Sequence, residues 1–207
     1  MGETDIDISV RLEKESDFRN VEYITREAFW DIYRPGCCEH LIVHKLRKVT
    51  AFVKELCYVA CANGEIIGNI VYSRAKIIND KGKEFEVLCM GPLSVVPVYQ
   101  GKGVGSLLMN YSIKKARELG FKAAILFGNP AYYRKFGFVN AKEYGIQTSA
   151  GENLDAFMVL ELFDGALEGV TGKFYENKVF EIDNEELEAF EKGFPYKEKH
   201  VTDSQLS

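Results

Sequence analysis

No dense block of lysine and arginine occurs in this 207-residue chain, and its formal net charge is −5. An electrostatic footprint for DNA or RNA is therefore absent, and nucleic acid is not an expected partner. No apolar run approaches the roughly 18–20 residues that a membrane span requires. The acidic start, Met1-Gly2-Glu3-Thr4-Asp5, has neither the basic region nor the apolar core of a signal peptide. A cytoplasmic protein without a membrane partner is the expectation. The cysteines, at 37, 38, 57, 61 and 89, are odd in number and irregular in placement, which argues against a disulfide framework and for reduced thiols. Cys37 and Cys38, followed by His40 and His44, lack the paired spacing of a structural zinc site. A turn leading into a helix is the preferred reading there, and no metal is expected.

With 46% hydrophobic residues the chain can bury a sizeable core, enough for one domain with a small appendage. We place the domain at residues 1–164 and an extension, packed on it or trailing from it, at 165–207. Ile6, Ile8, Val10 and Leu12 alternate with polar residues, the period of a half-buried strand. Ser16 is a plausible N-cap for a helix over 17–30, in which Phe18, Val21, Ile24 and Ala28 share one face. Pro35-Gly36 breaks that helix, and a shorter one is expected around Leu41 to Val49.

Two β-rich runs, Leu56 to Cys61 and Ile66 to Tyr72, flank Asn63-Gly64, a strong hairpin signal. A further strand is expected over Glu84 to Val96, interrupted at Gly91-Pro92 because proline cannot donate to a ladder. Val104, Leu107, Leu108, Tyr111, Ala116 and Leu119 then mark the clearest helix, closed by Gly120. A buried strand over Phe121 to Phe127, a short helix over 130–136 and strands at Phe138 to Val139 and Ala156 to Leu162 follow. Beyond these, a hairpin is expected from Lys173 to Tyr175 and Val179 to Ile182, then a helix over 184–192. The end from Lys197 to Ser207 is polar and expected to fray.

Between a strand and a helix, Gln100-Gly101-Lys102-Gly103-Val104-Gly105 carries three glycines where backbone must approach a ligand closely. Free N–H groups at such a helix start form a nest for phosphate. The spacing G-x-G-x-G is not the dinucleotide fingerprint, and the strand after the helix ends in Leu126-Phe127-Gly128 with no carboxylate for a ribose. Nor does a lysine-serine or lysine-threonine pair end the turn, as a triphosphate loop requires. A glycine turn serving only a tight connection is the competing explanation.

The stretch Gly91-Pro92-Leu93-Ser94-Val95-Val96-Pro97, continuing through Tyr99-Gln100-Gly101-Lys102-Gly103-Val104-Gly105, resembles the signature motif of the GNAT superfamily of acyl-CoA-dependent N-acetyltransferases. Asn129-Pro130-Ala131-Tyr132-Tyr133-Arg134-Lys135-Phe136-Gly137-Phe138 resembles the family's next motif, and the element order over residues 6–162 agrees. The forms Gly-Pro-Leu-x-Val and Asn-Pro-x-Tyr-Tyr further resemble a bacterial branch of predicted N-acetyltransferases. The resemblance implies an α/β fold: a mixed, mostly antiparallel seven-stranded sheet with flanking helices, here extended by the C-terminal hairpin and helix.

It also implies acetyl transfer from acetyl-CoA to a primary amine by direct attack, with a non-catalytic acyl-CoA-binding module as the alternative. The implied partners are acetyl-CoA and an amine acceptor, a small molecule or a protein amine, with a homodimer admitted. Residue by residue, Leu93, Ser94 and Val95 would hold the pantetheine arm, and Gln100, Gly101, Lys102, Gly103, Val104, Gly105 and Ser106 the pyrophosphate. Lys102 reads equally as a solvated loop lysine. Asn129, Tyr132 and Phe136 would line the cofactor, although capping alone accounts for Asn129. Tyr133 would be the acid that protonates the departing thiolate, or else a core aromatic beside Phe136 and Phe138. Relatives often carry a glutamate on the fourth strand as base; the aligned position here is Cys89, with Glu84 and Glu86 earlier in the strand. For the acceptor, Glu27, Trp30, Tyr33 and Glu39 are candidates, with Phe29 and His40 beside them, although Phe29 and Trp30 also suit a core.

Overall fold

The chain is described by a computed structural model that covers residues 7–203 and 205. Ile6, the first residue of the expected leading strand, lies outside them, as does the acidic start. Strand β1 (Ile8–Leu12) is followed by helices α1 (Phe18–Phe29) and α2 (Glu39–Leu46), then by strands β2 (Tyr58–Ala62), β3 (Glu65–Ile78) and β4 (Glu84–Val95). Asn63 and Gly64 both take positive φ, 52° and 82°, and close the β2–β3 hairpin. Ser16 does not cap α1. It lies in a 3-10 turn, Glu15–Asp17, where the Asp17 carboxylate accepts from the Lys14 N–H at 2.7 Å and pairs with Arg11 at 2.6 Å.

The second half supplies helix α3 (Val104–Glu118), strand β5 (Ala123–Phe127), helix α4 (Pro130–Tyr133), strands β6 (Val139–Asn140), β7 (Ile146–Gln147), β8 (Phe157–Glu161) and β9 (Gly172–Tyr175), and helix α5 (Asn184–Glu191). The sheet runs β1-β2-β3-β4-β5-β8-β6, a seven-strand path, with β9 pairing both β3 and β7. Of its pairings only β4–β5 and β7–β9 are parallel, so the sheet is mixed and mostly antiparallel.

Each sheet face buries its own helices. On one, Leu108, Met109, Ile113 and Ala116 of α3 pack against Ile70, Tyr72, Leu88, Ala124 and Leu126. On the other, Val21, Ile24, Val43 and Leu46 of α1 and α2 pack on Val59 and Val71, beside a second group formed by Cys89, Ile125, Phe157 and Phe174. Each large side chain so buried contributes about 2 kcal/mol of transfer free energy.

The expected C-terminal hairpin does not form. Its first arm is β9, but Asn177 Oδ1 accepts from the Val179 N–H at 3.0 Å and caps a 3-10 turn over Lys178–Phe180. That turn sends Val179 into the core instead of along a ladder. Asp183 then caps α5, accepting from the Glu186 N–H at 2.8 Å. The described part of the stretch from Lys197, through 203 and at 205, is not frayed either. Trp30 Nε1 donates to the Glu198 carbonyl at 2.9 Å, His200 Nδ1 lies 3.0 Å from Asp31, and Thr202 and Gln205 each donate to the Asp31 carbonyl at 3.1 Å. The polar composition that suggested a loose end is used in strapping it down.

Candidate active site

Strands β4 and β5 pair through only two positions, Leu88 with Ala124 and Cys89 with Ile125. Beyond them β4 stays with β3 as far as Val95, while β5 stays with β8 as far as Phe127. A wedge therefore opens inside the sheet. The β3–β4 register shows how: Tyr72 faces Met90 while Ile70 faces Leu93, so β4 carries one extra residue at Gly91-Pro92. This bulge is the predicted interruption, and it bends β4 away from its parallel neighbour. Past it, the Val96 N–H donates to Ile67 at 2.9 Å, so by alternation Leu93 and Val95 turn their backbone groups toward the wedge. Gln100 Nε2 donates to the Val95 carbonyl there, at 3.0 Å. Ser94 faces the other way. Its side chain is fully buried and donates to Thr25 Oγ1, which in turn donates to Asn69 Oδ1, both at 3.1 Å.

The glycine turn stands at the mouth of this wedge. Gly101 and Gly103 take φ of 74° and 85°, a conformation that costs other residues about 1 kcal/mol or more, and a side chain at either would meet nothing of the protein within 4 Å. The backbone conformation, and whatever space a ligand needs, requires glycine there. Gly103 is the N-cap of α3 and supplies no side-chain cap, so the first N–H groups of α3 remain available to an anion. At Gly105 the constraint is space, since an added Cβ would sit 2.6 Å from the Tyr132 hydroxyl. Lys135 Nζ donates to Ser106 Oγ at 3.0 Å and lies 4.2 Å from the centre of the Tyr132 ring. A cation thus stands at the helix start.

Together these elements enclose a cleft of about 520 Å³, lined by Leu93, Val95, Gln100, Gly101, Gly103, Val104, Gly105, Ser106, Tyr132 and Tyr133 from the two motifs. Ala28, Phe29, Ile32 and Tyr33, at the end of α1, form its far wall, and Tyr99 and Lys135 complete it. Tyr133 packs its ring against Gly128, where no side chain would fit, and meets Tyr132 and Phe138 edge-on at 5.0 and 5.8 Å between ring centres. Burial, reinforced by Tyr132, Tyr33 and Tyr72, raises the Tyr133 phenol well above its ordinary range, which keeps it protonated. Burial also holds the Cys89 thiol protonated at the closed end of the wedge.

Several predicted residues stand apart from this cleft. Lys102 hangs over Tyr99, 5.4 Å from the ring centre, and Asn129 caps α4 by accepting from the Ala131 N–H at 2.9 Å. Phe136 packs edge-on to Tyr132 and against the core. Of the acceptor candidates, Tyr33 lies on the cleft wall, but Glu27 is engaged by Arg26 at 3.3 Å and by Lys197 at 2.7 Å. Trp30 is covered by the C-terminal segment, through its bond to Glu198 and the Arg26 guanidinium 4.1 Å from its ring. Glu39 turns back to accept from the Cys38 N–H at 2.9 Å, and His40 is buried between Phe190 and Phe194. Glu84 and Glu86 pair with Lys76 and Arg74 on the exposed half of β4, far along the strand from the wedge. Sequence reasoning missed Lys135 and Ile32. Lys135 stands within the second motif, but its place at the cleft is set by Ser106, 29 residues earlier. Among the described residues no group of His, Cys, Asp and Glu could hold a metal ion, and no helix is long and apolar enough to cross a membrane.

Comparison with known proteins agrees with this geometry. The family described as acetyltransferase (GNAT) domain matches residues 54–140, from the turn before β2 through β6. The uncharacterized N-acetyltransferase YhbS of Escherichia coli K12 is 28% identical over 163 residues, 79% of this chain and 92% of that protein. The crystal structure of E. coli YhbS in complex with CoA superposes with a TM-score of 0.77 at 27% identity, covering 88% of this chain and 96% of that one. A GNAT family acetyltransferase from Brucella melitensis, in complex with acetyl-CoA, superposes with a TM-score of 0.68 at 26% identity over 84% and 98% of the two chains.

Proposed function

We propose that this chain, which belongs to the GNAT superfamily of acyl-CoA-dependent N-acetyltransferases, transfers the acetyl group of acetyl-CoA to a primary amine by direct attack. The observation that carries the reading is the wedge between β4 and β5 opening directly onto a helix start with free N–H groups. An inner strand edge left unpaired is costly unless a ligand's amides complete it. Acetyl-CoA supplies the amide-bearing arm, the diphosphate and the activated acetyl thioester. In this reading the backbone of Leu93 and Val95 pairs with the arm, and Gln100 holds the Val95 carbonyl in place. The N–H groups from Gly101 to Ser106 receive the diphosphate, with Lys135 adding its charge. Lys102, Asn129 and Phe136 support the turn and α4 from outside the cleft. In this reading residues 1–164 are the catalytic domain and 165–207 an extension, whose described part adds β9 to the sheet.

Tyr133 acts as the acid: a phenol kept protonated by burial is suited to deliver its proton to the departing thiolate. Direct attack fits the buried cysteines, since burial raises the Cys37, Cys57 and Cys89 thiols and so disfavours a thiolate that could take up the acetyl group. Tyr33, Phe29 and Ile32 give the acceptor an aromatic and apolar approach. The test is CoA release with a panel of amines, for the wild type and Tyr133→Phe. Turnover by the wild type, with a loss on the order of 10²-fold in kcat and unchanged acetyl-CoA affinity in Tyr133→Phe, is expected. Stabilisation by acetyl-CoA without turnover of any amine would favour the binding-module alternative, and turnover indifferent to Tyr133→Phe would remove its role as acid.

A further inference from the structure

The strand position at which relatives often place a glutamate carries Cys89 here, yet a carboxylate stands beside it. Glu176 Oε2 lies 3.7 Å from Cys89 Sγ, delivered from the far end of the chain. β9 pairs with β3 up to Lys76–Tyr175, and after Tyr175 the chain leaves that edge and crosses the sheet face toward β4. Cys89 is the last β4 residue paired with β5, so it marks the apex of the wedge. It belongs to the core group on the face opposite α3, whereas Tyr133 packs with the group on the α3 face. Acid and carboxylate therefore lie on opposite faces of the sheet.

A second polar atom is aimed at the same place. Ser73 is the cross-strand partner of Cys89, and its fully buried hydroxyl faces the Cys89 sulfur and has no other partner. A water or an amine N–H lodged beside the carboxylate would complete the hydrogen bonding of that hydroxyl. Glu176 itself stays exposed along part of its side chain, which gives a captured proton a way out to solvent.

We infer that Glu176 is the base of the proposed transferase, taking the place of the strand glutamate and accepting a proton from the acceptor amine at the apex of the wedge. This inference rests on the transferase reading. The ammonium form of the acceptor gives one proton to Glu176, directly or through a water at Ser73, and Glu176 passes it to solvent. The freed lone pair forms the N–C bond, the C–S bond breaks with its electrons going to sulfur, and Tyr133 protonates that sulfur. Tyr133 is reprotonated by the second proton lost from the nitrogen. The titratable groups facing Glu176 are the Cys89 thiol on β4 and Glu181 in its own segment; burial and Glu181 raise its carboxyl, and the Cys89 S–H lowers it. The net upward shift brings it closer to neutral pH, where a base is most effective.

The experiment is a pH–rate profile of amine acetylation for wild type, Glu176→Gln and Cys89→Ala, with acetyl-CoA affinity measured for each. Glu176→Gln is expected to lose on the order of 10²-fold in kcat/KM for the amine and the acidic limb of the profile, with acetyl-CoA affinity within about twofold of wild type. Cys89→Ala removes the S–H donor that favours the ionised carboxylate, so its acidic limb moves to higher pH. A wild-type rate with an unaltered acidic limb in both variants overturns the assignment and leaves the transferase reading intact. Absence of wild-type turnover with any amine, acetyl-CoA still bound, overturns the transferase reading and the base with it.

Discussion

At the glycine turn, the groups facing the cleft are mostly backbone, contributed by residues consecutive in sequence. At the end of α1 the arrangement is reversed. There Arg26, almost wholly buried, is held by Glu191 and by the Pro195 carbonyl at 3.0 Å, and lies against Trp30 and Phe194. All of these partners but Trp30 are side chains and carbonyls more than 160 residues along the chain. One region is open and locally encoded, the other closed and assembled from both ends of the molecule. The difference teaches that the proposed cofactor side of the cleft is specified by a short peptide, whereas the proposed acceptor wall depends on the whole chain being folded.

The contrast implies that damage to the turn abolishes binding and spares stability, and that damage to the strap does the opposite. Gly103→Val puts a β-branched residue at φ 85° where the N-cap must sit. Its expected effect is a loss on the order of 10³-fold in acetyl-CoA affinity, about 4 kcal/mol, by calorimetry, with the circular dichroism spectrum of the fold retained. Glu191→Ala removes the partner of a buried guanidinium and should cost about 3 kcal/mol of unfolding free energy in urea, with acetyl-CoA affinity unchanged. If affinity falls in parallel with stability in Glu191→Ala, the two regions form one cooperative unit and the contrast fails.

Acid offers a third route into the closed region. His40 Nε2 lies 2.9 Å from Glu191 but off the hydrogen-bond direction, and burial pushes the imidazole down from 6.5 to about 4 despite that carboxylate. A histidine whose folded value lies below its unfolded one resists protonation. Its contribution is intact above about pH 6.5 and is lost as pH falls toward 4, amounting to roughly 2–3 kcal/mol. Unfolding free energy measured from pH 7 to 4 should therefore fall more steeply in wild type than in His40→Gln. Equal slopes would show that the imidazole titrates as if exposed.

What the sequence revealed follows the same division. The strand–turn–helix unit, the Asn63-Gly64 hairpin and the break at Gly91-Pro92 were legible because each is decided by φ preference, periodicity or a missing N–H within a few residues. Glu27 and Trp30 read as acceptor residues because composition marks carboxylates and aromatics near a cleft without saying who covers them; Lys197 and Glu198 do. The polar stretch from Lys197 looked loose for a related reason, since its partners at Trp30 and Asp31 lie at the opposite end of the chain. The second hairpin arm failed on a capping bond at Asn177, a local feature that outweighed a weak strand pattern.

The smallest expected effect concerns which lysine serves the turn. Lys102 is inside the motif, but its ammonium points over Tyr99, and the lining of the cleft does not include it. Lys135 belongs to the second motif, outside the glycine turn, yet it reaches back to Ser106 in the first turn of α3 and lines the cleft. A cation at that place adds to the partial positive charge of the helix start, and both act on the same anion. Lys135→Met should weaken acetyl-CoA binding about fivefold at low salt and less as salt screens the charge, whereas Lys102→Met should leave it within error. The reverse ranking in the same titrations would mean that the turn rearranges around its ligand and brings Lys102 inward, so that even the locally encoded region completes itself only on binding.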